Sequence, residues 1–242
     1  MECRISDYYG HKRYDFEFCG RSALLVVPKE PRTDKKWVFK TEYFDAFPNF
    51  QAEMLDKGYY LAHISNEHRI ATKAVTDLQA DFAKFLHNEF GLYEKCMTIG
   101  MSCGGMQAIY LAGRYPELVG ALYIDAPVCN LLSWPCAVGK MEYSQKNYDE
   151  FKSTTGMTLA ELINYRNHPI DYADKIKDAG IPVMLICGGS DKTVIYEENG
   201  KVFAEKFKGA DNFFEILKPE CDHHPHGLED NTPLFEFAEK YY

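Results

Sequence analysis

Apolar and polar positions alternate along this chain in two patterns, one with the period of a strand and one with that of a helix. Residues 14–18 alternate at every second position, and residues 23–27 form an apolar run after Gly20, which predicts an antiparallel hairpin. Residues 71–90 instead carry apolar side chains at helical spacing. The two patterns predict a chain that contains both strands and helices.

From residue 37 onward the predicted strands and helices alternate. We predict eight strands, at residues 14–18, 23–27, 37–40, 59–64, 95–100, 121–124, 182–187 and 213–217. The clearest helices are predicted at residues 50–57, 71–90, 105–115 and 233–242. Alternation of this kind places helices on both faces of a mostly parallel sheet. The predicted fold class is therefore α/β, with an eight-stranded, mostly parallel sheet.

The stretch from about residue 130 to 180 does not fit this alternation. It is longer than a crossover between parallel strands needs, and it is rich in Tyr, Lys and Asn. Ligands bind at the carboxyl edge of open α/β sheets, so an insertion over that edge shapes specificity. We predict a single domain over residues 1–242, with a small helical cap insertion at about 130–180.

Composition narrows the classes of partner and compartment. A net charge of −9 favours neither nucleic acid nor an anionic membrane as a partner. The first residues lack the apolar core of a signal peptide and no apolar run is long enough to span a bilayer, so we predict a cytoplasmic protein. The 8 cysteines show no zinc-ligand spacing and suit small buried hydrophobes; Cys129 and Cys136 are the one candidate disulfide pair.

Residues 100–104 read Gly-Met-Ser-Cys-Gly and follow a predicted strand directly. A serine with glycine two positions away on each side, between a strand and a helix, is typical of a nucleophile elbow. The turn is so tight that the flanking positions accommodate almost no side chain, and it lifts the serine hydroxyl clear of the backbone. We predict that Ser102 is the nucleophile of a serine hydrolase.

An acid and a base follow in the order that such a nucleophile requires. Asp191 lies in a glycine-containing loop just past the strand at 182–187, and His223 lies just past the strand at 213–217. The order Ser, Asp, His, with each residue past the end of a strand, is that of a hydrolase triad. Ser102, Asp191 and His223 are therefore the predicted catalytic residues.

With these motifs the chain resembles the α/β-hydrolase superfamily of serine hydrolases across nearly its whole length. Residues 37–48 (WVFKTEYFDAFP), 125–129 (DAPVC) and 223–226 (HHPH) are similar to a bacterial subgroup of esterases and prolyl-oligopeptidase-like proteins. The elbow and the order of the triad are specific to the superfamily, whereas the other phrases suggest the subgroup without indicating a substrate.

The resemblance implies a role for each residue. Ser102 would attack an acyl carbonyl, the histidine would take its proton and pass one to the leaving group, and Asp191 would orient the imidazole. The oxyanion hole would use the backbone N–H groups of Cys103 and Glu42. The side chain of Glu42 departs from this pattern, because a carboxylate beside an oxyanion is unfavourable; it either points away or binds a polar part of the substrate.

The base has three candidates. The family often shows a catalytic histidine shortly after the last strand with proline two positions later, which fits His223; His226 ranks second and His224 third. The glycine that usually precedes this histidine is replaced by Asp222, which puts the conformation of the loop in question.

Other residues could also supply the acid or the nucleophile, and the histidine cluster could have another role. Asp125 also ends a strand and is the alternative acid. Cys103 is a weaker candidate for a nucleophile, because an elbow exposes its central residue rather than the next one. The three histidines and Asp222 could form a metal site, but Pro225 and the lack of a second cluster favour no metal.

We therefore predict a serine hydrolase that cleaves small carboxylic esters, including acyl or acetyl groups on carbohydrates, with no cofactor. Its expected partner is a small-molecule ester; no nucleic acid or membrane partner is expected, and the sequence carries no signal for an oligomeric state. The first alternative is a prolyl-oligopeptidase-like serine peptidase, which is disfavoured because the sequence lacks the large extra domain usual in such enzymes. The second is a hydrolase-fold protein that binds a ligand without turning it over.

Overall fold

The computed structural model describes residues 2–242. Strands in this range are β1 Cys3–Tyr8, β2 His11–Phe18, β3 Arg21–Val27, β4 Trp37–Lys40, β5 Tyr60–Ile64, β6 Cys96–Met101, β7 Val119–Asp125, β8 Val183–Gly188 and β9 Phe213–Lys218. The α-helices are α1 Asn49–Asp56, α2 Lys73–Phe90, α3 Cys103–Arg114, α4 Gln145–Thr155, α5 Leu159–Asn164, α6 Ala173–Asp178, α7 Gly200–Lys206 and α8 Thr232–Tyr241.

All of these strands join one sheet in the order β1-β2-β3-β5-β4-β6-β7-β8-β9. The pairs β1–β2, β2–β3 and β3–β5 are antiparallel, and every pair from β5 to β9 is parallel. The α/β fold class and the opening hairpin, formed by β2 and β3, are therefore confirmed. Because β4, β6, β7, β8 and β9 run in the same direction, their carboxyl ends meet along one edge.

The sheet of the described chain has nine strands rather than the predicted eight. The additional strand is β1, which pairs only with β2 and forms the edge of the sheet. Most of its side chains are exposed, and Ile5 keeps 61% of its surface in contact with solvent. An edge strand that buries so little has no clean apolar alternation, so the pattern did not reveal it.

Helices cover both faces of the sheet. Residues of α2, α3, α6 and α7 pack into one apolar cluster, and residues of α1 and α8 pack into a second. Strand β4 divides its side chains between the two, with Trp37 and Phe39 in the first cluster and Val38 in the second. This double cover explains why β6 is buried at every position, as is typical of a central parallel strand.

The segment at 130–180 contains α4, α5 and α6. Phe151 of α4 and Leu162 of α5 are fully buried in the same cluster as α3, so these helices are held on the body of the molecule by apolar contact. Helix α6 precedes β8 and contributes Ile176 to that cluster.

Two further expectations can be compared with this structure. Within residues 2–242, no helix is both long and apolar enough to cross a bilayer. All of the cysteines are free thiols, including Cys129 and Cys136.

Candidate active site

Ser102 lies in the turn between β6 and α3, at the carboxyl edge of the sheet. Its backbone has a φ of 54° and a ψ of −117°, a strained conformation that a non-glycine residue rarely adopts. Its amide donates to the carbonyl oxygen of Asp125 at 2.9 Å, and its own carbonyl accepts from Gly105 at 3.0 Å. A side chain at Gly100 would place Cβ 2.5 Å from the carbonyl oxygen of Gly104. The turn therefore closes only with glycine at position 100.

The structure brings Ser102, His223 and Asp191 together. Nδ1 of His223 lies 2.7 Å from Oδ2 of Asp191, and Nε2 lies 3.1 Å from Oγ of Ser102. Since the carboxylate is an acceptor, Nδ1 carries the proton and Nε2 accepts from the serine hydroxyl. The other oxygen of Asp191 accepts from the amides of Thr193 and Val194, both at 2.8 Å. The carboxylate of Asp191 is thus fixed by its own loop.

Asp125 and His226 are not part of this set but form a second pair beside it. Nδ1 of His226 donates to Oδ1 of Asp125 at 2.7 Å, and the amide of Gly227 donates to Oδ2 at 2.8 Å. Both side chains are nearly fully buried. Within residues 2–242, Nε2 of His226 has no hydrogen-bond partner, and the ring of His224 has none on either nitrogen. Asp125 and His226, the alternative candidates for the acid and the base, are therefore hydrogen-bonded to each other.

Asp222 takes up the position at which glycine is usual, and it links the two loops that hold Asp191 and His223. Its Oδ1 accepts from the amide of Lys192 at 3.0 Å and from the amide of His223 at 2.7 Å. These backbone hydrogen bonds lower the pKa of Asp222 below its ordinary value. The amide of Ser190 donates to the carbonyl of Cys221 at 3.0 Å and adds a further link.

The backbone amides of Cys103 and Glu42 both lie beside the elbow. Cys103 is the first residue of α3, where amides have no acceptor within the helix. The amide nitrogen of Glu42 lies 3.5 Å from the position that a Cβ at Gly104 would occupy. In the described chain neither amide donates to a protein acceptor, so both are free to bind an oxygen of a ligand.

The carboxylate of Glu42 is held in a polar network. Its Oε2 accepts from Nε2 of Gln107 at 2.7 Å and from Nδ2 of Asn66 at 2.9 Å. The sequence left open whether this side chain points away from the oxyanion or binds the substrate. In the structure, side-chain amides of the protein already donate to the carboxylate. Its charge is compensated by amides, which reduces repulsion toward an oxygen at the elbow.

The thiol of Cys103 is fully buried. Burial raises its pKa to about 12, so the thiolate is scarce at neutral pH. Because the thiolate is the reactive form of cysteine, this environment argues against Cys103 as the nucleophile.

A cavity of about 570 Å³ opens over Ser102. Its walls include Tyr43, Arg69, Trp134 and Asn147. Trp134 and Asn147 come from the segment at 130–180.

Arg69 connects the two sides of the cavity. Its Nε donates to Oε1 of Glu150 at 2.8 Å and its Nη2 to Oδ1 of Asn147 at 3.2 Å, while the guanidinium lies 5.1 Å from the ring of Trp134. The sequence analysis did not identify Arg69. Its position shortly after β5 was the available signal, because that parallel strand also ends at the edge that carries the elbow.

Lys40 was also not identified from the sequence. It ends β4 with its side chain fully buried, and its Nζ donates to the carbonyl of Ala46 at 3.1 Å and to Sδ of Met101 at 3.2 Å. Burial lowers its pKa to about 7, and the charge of Asp125 opposes that shift. A lysine within an apolar strand pattern gives no indication of whether its ammonium reaches water.

A model of the prolyl oligopeptidase family matches residues 59–241, which is more than half of the chain. The matched range includes Ser102, Asp191 and His223.

Solved structures with the same fold include two peptidases. An acylaminoacyl peptidase from Pyrococcus horikoshii is 16% identical with a TM-score of 0.70, and a proposed dipeptidyl aminopeptidase IV from Bacteroides ovatus is 17% identical with a TM-score of 0.66. Each match covers 99% of this chain but only 41% and 35%, respectively, of the peptidase chains. The chain thus spans well under half the length of either peptidase.

A third structure has a matching length. An S-formylglutathione hydrolase from Agrobacterium tumefaciens is 14% identical with a TM-score of 0.63, and the match covers 100% of both chains. At identities this low, the three structures establish a shared α/β-hydrolase fold.

Proposed function

Since the chain belongs to the prolyl oligopeptidase family of hydrolases, we propose that it is a serine hydrolase that cleaves small carboxylic esters through an acyl-enzyme. One observation carries the proposal: His223 reaches Oγ of Ser102 at 3.1 Å with one nitrogen and Asp191 at 2.7 Å with the other. This is the contact pattern that nucleophilic catalysis by serine requires.

The reaction follows from these contacts. Oγ of Ser102 attacks the acyl carbonyl while Nε2 of His223 takes its proton, and Asp191 stabilises the imidazolium that forms. The imidazolium then gives the proton to the leaving alcohol. Water repeats the sequence on the acyl-enzyme, which releases the acid and restores Ser102.

The developing negative charge on the carbonyl oxygen needs donors, and the amides of Cys103 and Glu42 suit this role. Both lie at the elbow and both lack a protein acceptor within residues 2–242. Loss of one donor of this kind typically raises the barrier by about 3 kcal/mol. Of the side-chain substitutions only proline removes a backbone N–H, and it also restricts φ, so the oxyanion role of the backbone is coupled to the conformation of the elbow itself.

The walls of the cavity favour a small acyl group. The cap proposed at residues 130–180 contributes Trp134 and Asn147 to a space of about 570 Å³, which lies within the ordinary range for pockets that bind small molecules. The indole supports an apolar acyl chain, and Arg69 and Asn147 add polar groups for the alcohol part, which is compatible with acylated carbohydrates. The S-formylglutathione hydrolase, whose whole length matches, favours the same type of compact hydrolase.

The family match and the two peptidase structures favour a second candidate, a serine peptidase. The same three residues can cleave an amide, and the substrate classes differ in the leaving group. Rates with p-nitrophenyl acetate and with acyl p-nitroanilides separate the two, because we expect turnover of the ester to exceed that of the anilides by a large factor. Anilide turnover that matches ester turnover would favour the peptidase.

A fluorophosphonate probe tests for an activated serine. We expect wild-type protein to be labelled, Ser102→Ala to be unlabelled, and Ser153→Ala, which removes an exposed serine of α4, to be labelled like wild type. A wild-type protein that neither reacts with the probe nor hydrolyses the ester would instead favour a ligand-binding protein. Labelling that persists in Ser102→Ala would assign the nucleophile to another residue.

A further inference from the structure

Three imidazoles surround one point next to Ser102. The ring centroids of His223, His224 and His226 are 4.8 to 4.9 Å apart in every pairing. One ring nitrogen from each can be chosen so that all three lie within 4.8 Å of one another. This is an arrangement of converging nitrogen donors, which ester hydrolysis by a single base does not require.

Two of these imidazoles are oriented from behind by buried carboxylates. Asp191 accepts from Nδ1 of His223 and Asp125 accepts from Nδ1 of His226, each at 2.7 Å. Nδ1 therefore carries the proton in both rings, which leaves the lone pair on Nε2, and both rings line the cavity over Ser102. Histidines that bind metal ions usually donate their other nitrogen to a carboxylate in this way, which fixes the tautomer and increases the basicity of the ligand.

The third imidazole, that of the exposed His224, has no hydrogen bond within the described chain and is held by stacking on the ring of Phe47, with centroids 5.4 Å apart. Nitrogens bound to one tetrahedral zinc ion, with Zn–N of about 2.0–2.1 Å, lie roughly 3.4 Å apart. With separations of up to 4.8 Å, the nitrogens must approach by up to about 1.4 Å. Rotation of the exposed His224 shortens its own two separations, and a small shift of the buried rings shortens the separation between His223 and His226.

We propose that His223, His224 and His226 form an inhibitory site for a divalent transition-metal ion with a preference for imidazole, above all Zn²⁺. Three neutral imidazoles suit zinc and copper, whereas Mg²⁺ and Ca²⁺ require oxygen ligands. Asp191 and Asp125 supply two negative charges behind the ligands. A water or the hydroxyl of Ser102 completes the fourth position.

Metal binding and activation of Ser102 compete for the same lone pair. Nε2 of His223 either accepts the proton of Ser102 or coordinates the ion. Occupation of the site therefore removes the general base, and this inhibitory part rests on the proposed function. The proposal that the histidines bind a metal ion does not rest on the proposed function, because the three imidazoles lie together whether or not Ser102 reacts.

Direct binding is measured with Co²⁺, whose visible absorption reports nitrogen coordination, on tag-free protein stripped with a chelator and dialysed. We expect one Co²⁺ per chain, displaced by one Zn²⁺, in wild type and in Ser102→Ala. His224→Gln and His226→Gln each remove one ligand and should weaken binding at least tenfold. His68→Gln, which changes an exposed histidine outside the cluster, should bind like wild type.

Inhibition is measured in parallel with p-nitrophenyl acetate, relative to the metal-free rate of each protein. We expect Zn²⁺ to inhibit wild type reversibly, a chelator to restore the rate, and Mg²⁺ to have no effect. Inhibition should require at least tenfold more Zn²⁺ in His224→Gln and in His226→Gln. Circular dichroism establishes that each variant is folded before the comparison is made.

The outcomes separate this proposal from the proposed function. Absence of a Co²⁺ spectrum in folded wild type and Ser102→Ala would overturn the metal site even if the esterase is active. Binding of Co²⁺ by His224→Gln and His226→Gln with the affinity of wild type would overturn it as well. Ester hydrolysis that rises on addition of Zn²⁺ would overturn its inhibitory role. A Co²⁺ spectrum of one ion per chain in a protein without hydrolase activity would leave the site intact and overturn the proposed function alone.

Discussion

Two buried Asp–His pairs lie side by side at the carboxyl edge of the sheet, and only one of them reaches Ser102. In each pair an aspartate oxygen accepts from Nδ1 of the imidazole at 2.7 Å, and the other oxygen accepts from backbone amides. The difference lies at the second nitrogen. Nε2 of His223 has the serine hydroxyl at 3.1 Å, whereas Nε2 of His226 has no partner in the described chain.

This comparison shows that an Asp–His contact alone does not identify a general base. Asp125 is even closer to the elbow along the sheet, since β7 pairs with β6 and its carbonyl accepts from the amide of Ser102. Its side chain nevertheless turns to His226, which lies between the cavity over Ser102 and a second cavity of about 510 Å³. The direction of the side chain, rather than the position of the strand, separates the two pairs.

The most direct test of the difference between the two pairs is to neutralise each aspartate in turn. We expect Asp191→Asn to lower kcat for p-nitrophenyl acetate by about 10³- to 10⁴-fold, because the amide favours the wrong tautomer of His223. Asp125→Asn should lower it by less than about tenfold, because His226 does not contact Ser102. A larger loss in Asp125→Asn than in Asp191→Asn would transfer the role of the acid to Asp125.

The second pair should matter more for stability than for the reaction. Asp125→Asn replaces a carboxylate that accepts from Nδ1 of His226, the amide of Gly227 and the hydroxyl of Tyr123 with a neutral amide that has one acceptor oxygen instead of two. We expect the free energy of unfolding to fall by about 1–3 kcal/mol. Urea unfolding at pH 7 measures this change. The exposed Asp211→Asn serves as the control and should differ little from wild type. An unchanged midpoint in Asp125→Asn would mean that the pair contributes nothing to folding.

Lys40 distinguishes the neighbourhood of Asp125 from that of Asp191. Its pKa is lowered from 10.5 to about 7, so between these values the unfolded chain binds more protons than the folded one, and the contribution of Lys40 makes stability rise with pH. Below pH 7 both states hold the proton, and the full penalty of burying the charge is present.

Lys40→Met tests this dependence. Because methionine has no charge to bury, we expect its free energy of unfolding relative to wild type to decrease by about 1 kcal/mol between pH 8 and pH 9. Urea unfolding at the two pH values gives the difference, and the exposed Lys201→Met should show no such trend. A parallel response of Lys40→Met and wild type would mean that Lys40 keeps an ordinary pKa.

Much of the fold and the positions of Ser102, Asp191 and His223 could be predicted because local chemistry determines them. Glycines around Ser102 are required by the turn, and the parallel strands carry a strong apolar pattern. The choice between Asp191 and Asp125 was harder, because both follow strands that end at the same edge and only side-chain direction differs. The burial of Lys40 could not be predicted for a related reason: whether an ammonium at a strand end reaches water depends on distant segments.

Asp222 determines when the side chains of Asp191 and His223 become aligned with each other. It joins the loop after β8 to the loop after β9 through the amides of Lys192 and His223, although these loops are 30 residues apart in the chain. These hydrogen bonds hold the loops of Asp191 and His223 together, so in the proposed reaction the two side chains are aligned before a substrate binds. For the proposed reaction, the entropy of bringing these two side chains together is lost once, during folding, instead of in every turnover.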